Sequence, residues 1–260
     1  MLASAAAKAS HAPGESVLVS LATYNEVENL RELVLAIREH VPHAHVLVVD
    51  DASPDGTAKV AEELMRELSG IFLIQRSGKL GLGTAIISAM KYAIEHGYDY
   101  HVNMDADGSH PPRFLPALVA GMDRVDVMIG SRYIEGGGVE GEFGLKRKFM
   151  SAGINLYART LLGLSTRDNS GSFRCYRVSK LKLLDFAWIR SKGYSFQEEI
   201  LFWCRVVGCT FAETPIIFEN RWGGKSKLVA SEAVKALEIM AGLGIDRALG
   251  RLPRKAKGVG

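Results

Sequence analysis

The chain has 260 residues, 47% of them apolar and 23% charged, with a formal net charge of +3. These values exclude intrinsic disorder and fibrous architectures, and a chain this long buries roughly three quarters of its unfolded surface in one large α/β domain or two small ones. So small a charge implies no nucleic-acid partner, three cysteines without a Cys-x-x-Cys pair imply no disulfide framework, and no apolar run approaches the roughly 18 residues that span a membrane.

Residues 1–16 are rich in Ala, Ser and Lys and lack the apolar centre of a secretory signal, so they read as a mobile leader to a domain over 17–248. A strand is expected over 17–22, then a helix over 26–40 capped by Asn25, with Leu30, Leu33, Val34 and Ile37 on one face. A second strand over 46–49 ends at Asp50-Asp51, and Ser53-Pro54-Asp55-Gly56 is turn chemistry with Asp55 capping a helix over 57–68. A strand over 71–74, a helix over 84–96 and a strand over 100–104 follow. Pro111-Pro112 opens the next helix, and 125–129 forms a fifth strand. This alternation is that of a mainly parallel sheet flanked by helices.

Beyond residue 130 the regularity fades. A Gly-rich loop over 136–144 is a lid candidate, and a helix is expected over 146–162. A closing helix over 228–248 has Val229, Val234, Leu237, Met240 and Leu243 at apolar spacing. A basic tail over 249–260 carries Arg251, Arg254, Lys255 and Lys257.

Ligands of open parallel sheets bind outside the carboxyl ends of the strands, and polar residues stop four of these strands. Asp105 and Asp107 lie on one side of an extended segment, where their charges repel unless a cation sits between them. Hard oxygen ligands of this kind suit Mg2+ or Mn2+ on a substrate phosphate, with Ser109 completing the shell directly or through water. The alternative is an acidic turn ahead of a helix. Asp50-Asp51 offers acceptors to a base or ribose on the same sheet edge. Gly81-Leu82-Gly83-Thr84 either approaches a nucleotide closely or starts a helix, and its place after the third strand counts against a dinucleotide fold. Arg132, Lys146-Arg147-Lys148 with Ser151, Arg221 and Lys225 to Lys227 are either solvated surface or a seat for a second phosphate.

Together, Thr23-Tyr24-Asn25-Glu26, Asp50-Asp51-Ala52-Ser53-Pro54-Asp55-Gly56-Thr57, Gly81-Leu82-Gly83-Thr84, Asp105-Ala106-Asp107, Gly130-Ser131-Arg132-Tyr133, Gly171-Ser172-Phe173-Arg174 and Ser226-Lys227-Leu228 resemble the dolichyl-phosphate mannose synthases. These are inverting family 2 glycosyltransferases of the glycosyltransferase A-type fold, and the match covers about residues 17 to 230. The resemblance implies metal-dependent transfer of mannose from GDP-mannose to dolichyl or another polyprenyl phosphate, in a single domain. It implies donor contacts from Tyr24, Glu26, Val49, Asp51, Ala106, Arg221 and Lys227, and a metal held by Asp105, Asp107 and Ser109. Arg132, Arg147 and Ser151 correspond to a cradle for the acceptor phosphate, and Gln197 and Glu199 to a string bordering the sugar.

In two places the chain departs from that pattern. Ala22 stands where the family usually has proline, and no C-terminal membrane-spanning segment follows as in some relatives. The expected location is therefore peripheral, at the cytoplasmic face of a membrane, through the closing helix and basic tail or a membrane partner protein. Transfer of another sugar, such as glucose from UDP-glucose, or a sugar-phosphate nucleotidyltransferase are the alternatives in enzyme chemistry. A sugar-nucleotide sensor is the non-catalytic one.

Overall fold

In the computed structural model the described residues are 16–140, 145–222 and 230–252, with side chains described except at 145–152 and 230–234. The first half alternates as the periodicity predicts: β1 (Val17–Thr23), α1 (Leu30–His40), β2 (His45–Asp50), α2 (Thr57–Glu67), β3 (Ile71–Gln75), α3 (Leu82–Glu95) and β4 (Tyr100–Asp105). A 3-10 turn at Pro112–Phe114 leads into α4 (Leu115–Ala120), followed by β5 (Val127–Ser131) and a short β6 (Gly138–Val139). The rest comprises α5 (Leu145–Leu162), β7 (Arg174–Arg177), α6 (Val178–Leu181), α7 (Phe196–Val206), β8 (Phe211–Pro215), β9 (Ile217–Phe218) and α8 (Ala230–Ala248).

The seven-stranded sheet runs β3-β2-β1-β4-β7-β5-β8, parallel except for β7, which is antiparallel to both β4 and β5. β6 and β9 form a separate parallel pair. Successive β1 side chains enter opposite cores, as the two-residue period of a strand requires. Val17, Val19 and Leu21 pack with Val34 and Ile37 of α1 and Leu64 of α2, whereas Leu18 packs with Leu47, Val49 and the alanines Ala85, Ala89 and Ala93 of α3. A third cluster joins α7 to Met240 and Leu243 of α8.

Three expectations change. The helix expected from residue 26 begins at Leu30, because Asn25 takes a left-handed φ of 59° and residues 26–29 form a turn. An Asn side chain tolerates that conformation better than other non-glycine residues do. β7 escaped the sequence reading: four residues inserted antiparallel between parallel neighbours leave no periodic signal. In α8, Leu237 lies on the outer side, exposed at 41%, while Ala236, Met240 and Leu243 face the core. Val229 and the side chain of Val234 lie outside the described residues, as do the leader except Ser16, residues 141–144 of the Gly-rich loop and most of the basic tail.

Candidate active site

The carboxyl ends of β1, β2 and β4 converge on a cleft of about 440 Å3, where the order of strands reverses between β1 and β4. Asp50 and Asp51 divide the work there. Asp50 is fully buried and accepts from Thr23 Oγ1 at 2.9 Å and from the backbone N–H of Ser53 at 2.9 Å, tying the β1 loop to the β2 loop. Asp51 lines the cleft, accepts from Leu80 N–H at 3.1 Å, and lies 2.7 Å from Nη1 of Arg76 as a nearly buried ion pair. That approach is not aligned as a hydrogen bond, and Arg76 turns its other nitrogen to Thr84 Oγ1. Asp55, exposed and outside the cleft lining, accepts from the backbone of Val27 and Thr57; burial pushes its carboxyl upward, but this bonding holds it below the usual range.

Asp105 and Asp107 both line the cleft. Ser172 Oγ donates to Asp105 Oδ1 at 2.6 Å, and the Asp105 backbone N–H donates to His110 Nδ1 at 3.1 Å. Burial pushes the His110 pKa down against the pull of Asp105, so the ring is neutral and its Nδ1 is an acceptor. Asp107 receives Ser109 Oγ and N–H on one oxygen, and its other oxygen lies 2.9 Å from Nε of Arg221 as an ion pair. The loop is gripped from outside: Trp222 N–H donates to Asp107 O and Glu219 N–H to Ser109 O. Gly108 permits this approach, since a Cβ there would stand 2.3 Å from the Trp222 ring.

The Gly81-Leu82-Gly83 turn serves packing, and Gly81 and Leu82 also line the cleft. A Cβ on Gly81 would meet Lys192 O at 2.5 Å, one on Gly83 would meet Phe196 Cβ at 2.8 Å, and Gly83 N–H donates to Lys192 O at 2.9 Å. The glycines thus seat the 192–194 loop on the start of α3, where Lys192, Gly193 and Tyr194 become a wall of the cleft. Across it, the Lys79 ammonium sits 4.3 Å from the Tyr24 ring centroid.

Arg132, which is not among the residues lining the cleft, makes a two-pronged pair with the fully buried Asp168: Nε donates at 2.7 Å and Nη2 at 2.8 Å, while the Arg132 backbone N–H also donates to this carboxylate. Burial alone would lower the Arg132 pKa, but the bond and charge of Asp168 outweigh it and keep the guanidinium ionised. Asp168 is held below the usual carboxylate range for the reciprocal reason. The 167–168 backbone is fixed in turn by two hydrogen bonds to Glu213 of β8.

The family model described as Glycosyl transferase family 2 matches residues 18–184. The chain belongs to glycosyl transferase family 2. An undecaprenyl-phosphate mannosyltransferase of Micrococcus luteus is 41% identical over 84% of this chain and 90% of its own length. A polyprenol monophosphomannose synthase of Mycolicibacterium smegmatis is 39% identical over 95% of this chain and 92% of its own. Among solved structures, glucosyl-3-phosphoglycerate synthase of Mycobacterium tuberculosis, in complex with Mn2+, UDP and glucosyl-3-phosphoglycerate, superimposes with a TM-score of 0.59 at 19% identity, covering 95% of this chain and 83% of that one. A Pyrobaculum calidifontis mannosyltransferase in complex with GDP-Man and Mn2+ gives 0.55 at 14% identity, over 91% and 71%. The fold is the glycosyltransferase A type, with a mainly parallel sheet in a single domain.

In this family 2 chain the cleft brings together Tyr24, Glu26, Asp51, Asp105, Ala106, Asp107 and Arg221 of the expected donor residues. It does not include Val49, which is 1% exposed and packs beneath Ala85, because β2 alternation turns it into the core. Ser109 is fully buried and spends its hydroxyl on Asp107, so it supports a ligand rather than facing the cleft. Glu199 is also a support: its oxygens accept from the backbone of Arg190 and Ser191 and from the Trp203 indole. Gln197 is buried with neither polar head atom hydrogen-bonded, while its carbonyl accepts from Arg174. The side chains of Arg147 and Ser151 and all of Lys227 lie outside the described residues; positions 147, 151 and 155 follow one side of α5 at a spacing of four. Sequence reasoning missed Arg76, His110, Asp168, Lys192 and Glu198. Asp168-Asn169-Ser170-Gly171 is turn chemistry and could have drawn attention to the carboxylate it exposes to Arg132.

Proposed function

We propose that the chain transfers a mannosyl residue from GDP-mannose to dolichyl or another polyprenyl phosphate, with inversion, giving a polyprenyl β-D-mannosyl phosphate and GDP. The observation that carries this reading is a nucleoside-sized cleft lined by the carboxylates of Asp105 and Asp107, with the braced Arg132 outside that lining but near enough for the charge of Asp105 to act on it. The names of the two relatives support the sugar and the lipid.

The donor set fits a hard divalent cation, Mg2+ or Mn2+. Both carboxylates face the cleft, and neutral His110 does not compete for Asp105. Two carboxylates completed by substrate phosphate and water is the usual habit of such ions. Bound there, the ion would neutralise charge on the departing diphosphate. Arg221, already against Asp107, would meet the same diphosphate, with Lys227 assigned there by resemblance alone. Tyr24, Glu26 and Asp51 would hold the nucleoside, and Gln197, buried outside the cleft lining with an unpaired amide, is assigned to the sugar by resemblance alone.

An acceptor phosphate has a second pKa near 6, so at neutral pH it attacks as an anion without a side-chain base. The protein's task is alignment, which falls to Arg132 with Arg147 and Ser151. Direct displacement at the anomeric carbon inverts an α-linked donor. No helix among the described residues is long and apolar enough to cross a membrane, and we assign the enzyme to the membrane periphery on its cytoplasmic side. A panel of nucleotide sugars offered with a short polyprenyl phosphate and Mg2+ or Mn2+, read by product mass, tests the reading. Product from GDP-mannose is expected; turnover only of GTP with a sugar phosphate would replace it with nucleotidyl transfer.

A further inference from the structure

The guanidinium of Arg132 is almost completely assigned. Asp168 takes Nε and one N–H of Nη2, Ser170 Oγ takes the other at 3.1 Å, and the Tyr133 and Phe218 rings lie 5.3 and 5.4 Å from its centre. Nη1 is the nitrogen of that group for which no partner occurs among the described residues. Ser170 is in the same condition. Its Oγ accepts from Arg132 and, at 3.4 Å, from Asn155 Nδ2, so both lone pairs are committed and its half-buried hydroxyl proton has no acceptor among the described residues.

Two unspent donors therefore stand side by side at the edge of a buried, charge-balanced pair. Asn155 fixes them: 5% exposed on α5, it accepts from the Asn169 N–H at 2.7 Å while its amide reaches Ser170. Adjacent N–H and O–H donors with no internal acceptor suit a tetrahedral oxyanion, and their preset orientation removes ordering cost from binding. We infer that Ser170, through its hydroxyl and beside Arg132 Nη1, binds a phosphate oxygen of the acceptor lipid, and that Asn155 is the positioning residue that holds this donor pair in place.

The inference rests on the proposed polyprenyl phosphate reaction and is tested by steady-state kinetics with farnesyl phosphate as acceptor and GDP-mannose as donor. Ser170→Ala should raise the acceptor KM about tenfold, the effect of one hydrogen bond to a charged group, with kcat and donor KM within about twofold. Ser170→Thr, which keeps the hydroxyl, should return the acceptor KM to within about threefold of the parent. Asn155→Ala should move acceptor KM in the same direction, and the double variant should add little to Ser170→Ala, because the two act on one donor pair. A parent enzyme that is active while Ser170→Ala leaves acceptor KM unchanged, or raises donor KM equally, overturns this inference alone. A parent enzyme that transfers nothing to farnesyl phosphate or longer polyprenyl phosphates overturns the underlying reaction and the inference with it. Should Ser170→Thr fold poorly, calorimetric binding of farnesyl phosphate to Ser170→Ala without donor decides: parent-like affinity sinks the assignment.

Discussion

Asp107 divides its carboxylate between Ser109 and Arg221, which leaves it oriented before any substrate arrives. Replacing it by Ala should abolish turnover and metal-dependent donor binding, measured by calorimetry with and without Mn2+; full activity would exclude the site. Asp168 holds a nearly buried guanidinium, and removing one partner of such a pair costs about 3–5 kcal/mol. Denaturant unfolding of Asp168→Ala should show a loss of that size, larger than for Asp168→Asn. Glu198 presents a different case. Burial lifts its pKa from 4.5 to about 7 against the opposing pull of its own backbone N–H and Arg174, and its Oε2 has no hydrogen-bond partner. A raised carboxyl favours the folded state when protonated, so its contribution is fully present below about pH 4.5 and is lost as pH rises through about 7. His101, depressed by burial from 6.5 to about 3, works in the opposite sense, losing stability as pH falls through that interval. The difference between parent and Glu198→Gln isolates the first effect. Their unfolding free energies should change relative to one another between pH 5 and 8 by on the order of 3 kcal/mol, with Gln favoured at the alkaline end.

Among the elements, those carrying the donor site were the most legible. β1 and β2 announce themselves by short Val-rich runs and β4 by an apolar alternation through Tyr100, Val102 and Met104, all ending in polar residues, and their parallel pairing follows from the helices between them. Arg174-Cys175-Tyr176-Arg177 has too few residues to show a period, and its antiparallel placement depends on partners far away in sequence. Glu199 entered through resemblance alone, and the hydrogen bonds its carboxylate accepts from the backbone of residues 190–191 have no counterpart in the sequence pattern. Resemblance placed Arg221 with the donor, but the packing of Trp222 on the 105–109 loop was unreadable, because Gly108 permits it by what it lacks. Gly108 has a φ of 77°, and Gly108→Ala adds conformational strain to the clash with Trp222. That variant should lose at least about 1 kcal/mol of stability together with donor affinity, seen as weaker quenching of tryptophan fluorescence by GDP.

On the scale of the molecule, α5 and α8 pack together and leave Leu156, Leu237, Ile245 and Leu249 between 41% and 62% exposed. Leu237 and Ile245 fall within a quarter turn of one another on α8, and exposed Arg159 and Arg251 stand nearby in the chain. A lipid acceptor gives these exposed apolar side chains a use. Changing the four side chains to Ser should weaken sedimentation with anionic vesicles while leaving turnover of water-soluble farnesyl phosphate within about twofold. Equal vesicle binding would detach these side chains from the membrane.

The short antiparallel strand has a further consequence. Residues 168–174 brace Arg132 at one end, tether Asp105 through Ser172 in the middle, and enter the sheet between β4 and β5 at the other. Modular swapping between homologues is therefore constrained: a chimaera that exchanges only the nucleotide half, or only the lipid half, splits the registration of this common strut. Functional recombinants should be those whose crossover points fall outside it, and directed evolution of either specificity will drag the other along whenever it touches these seven positions.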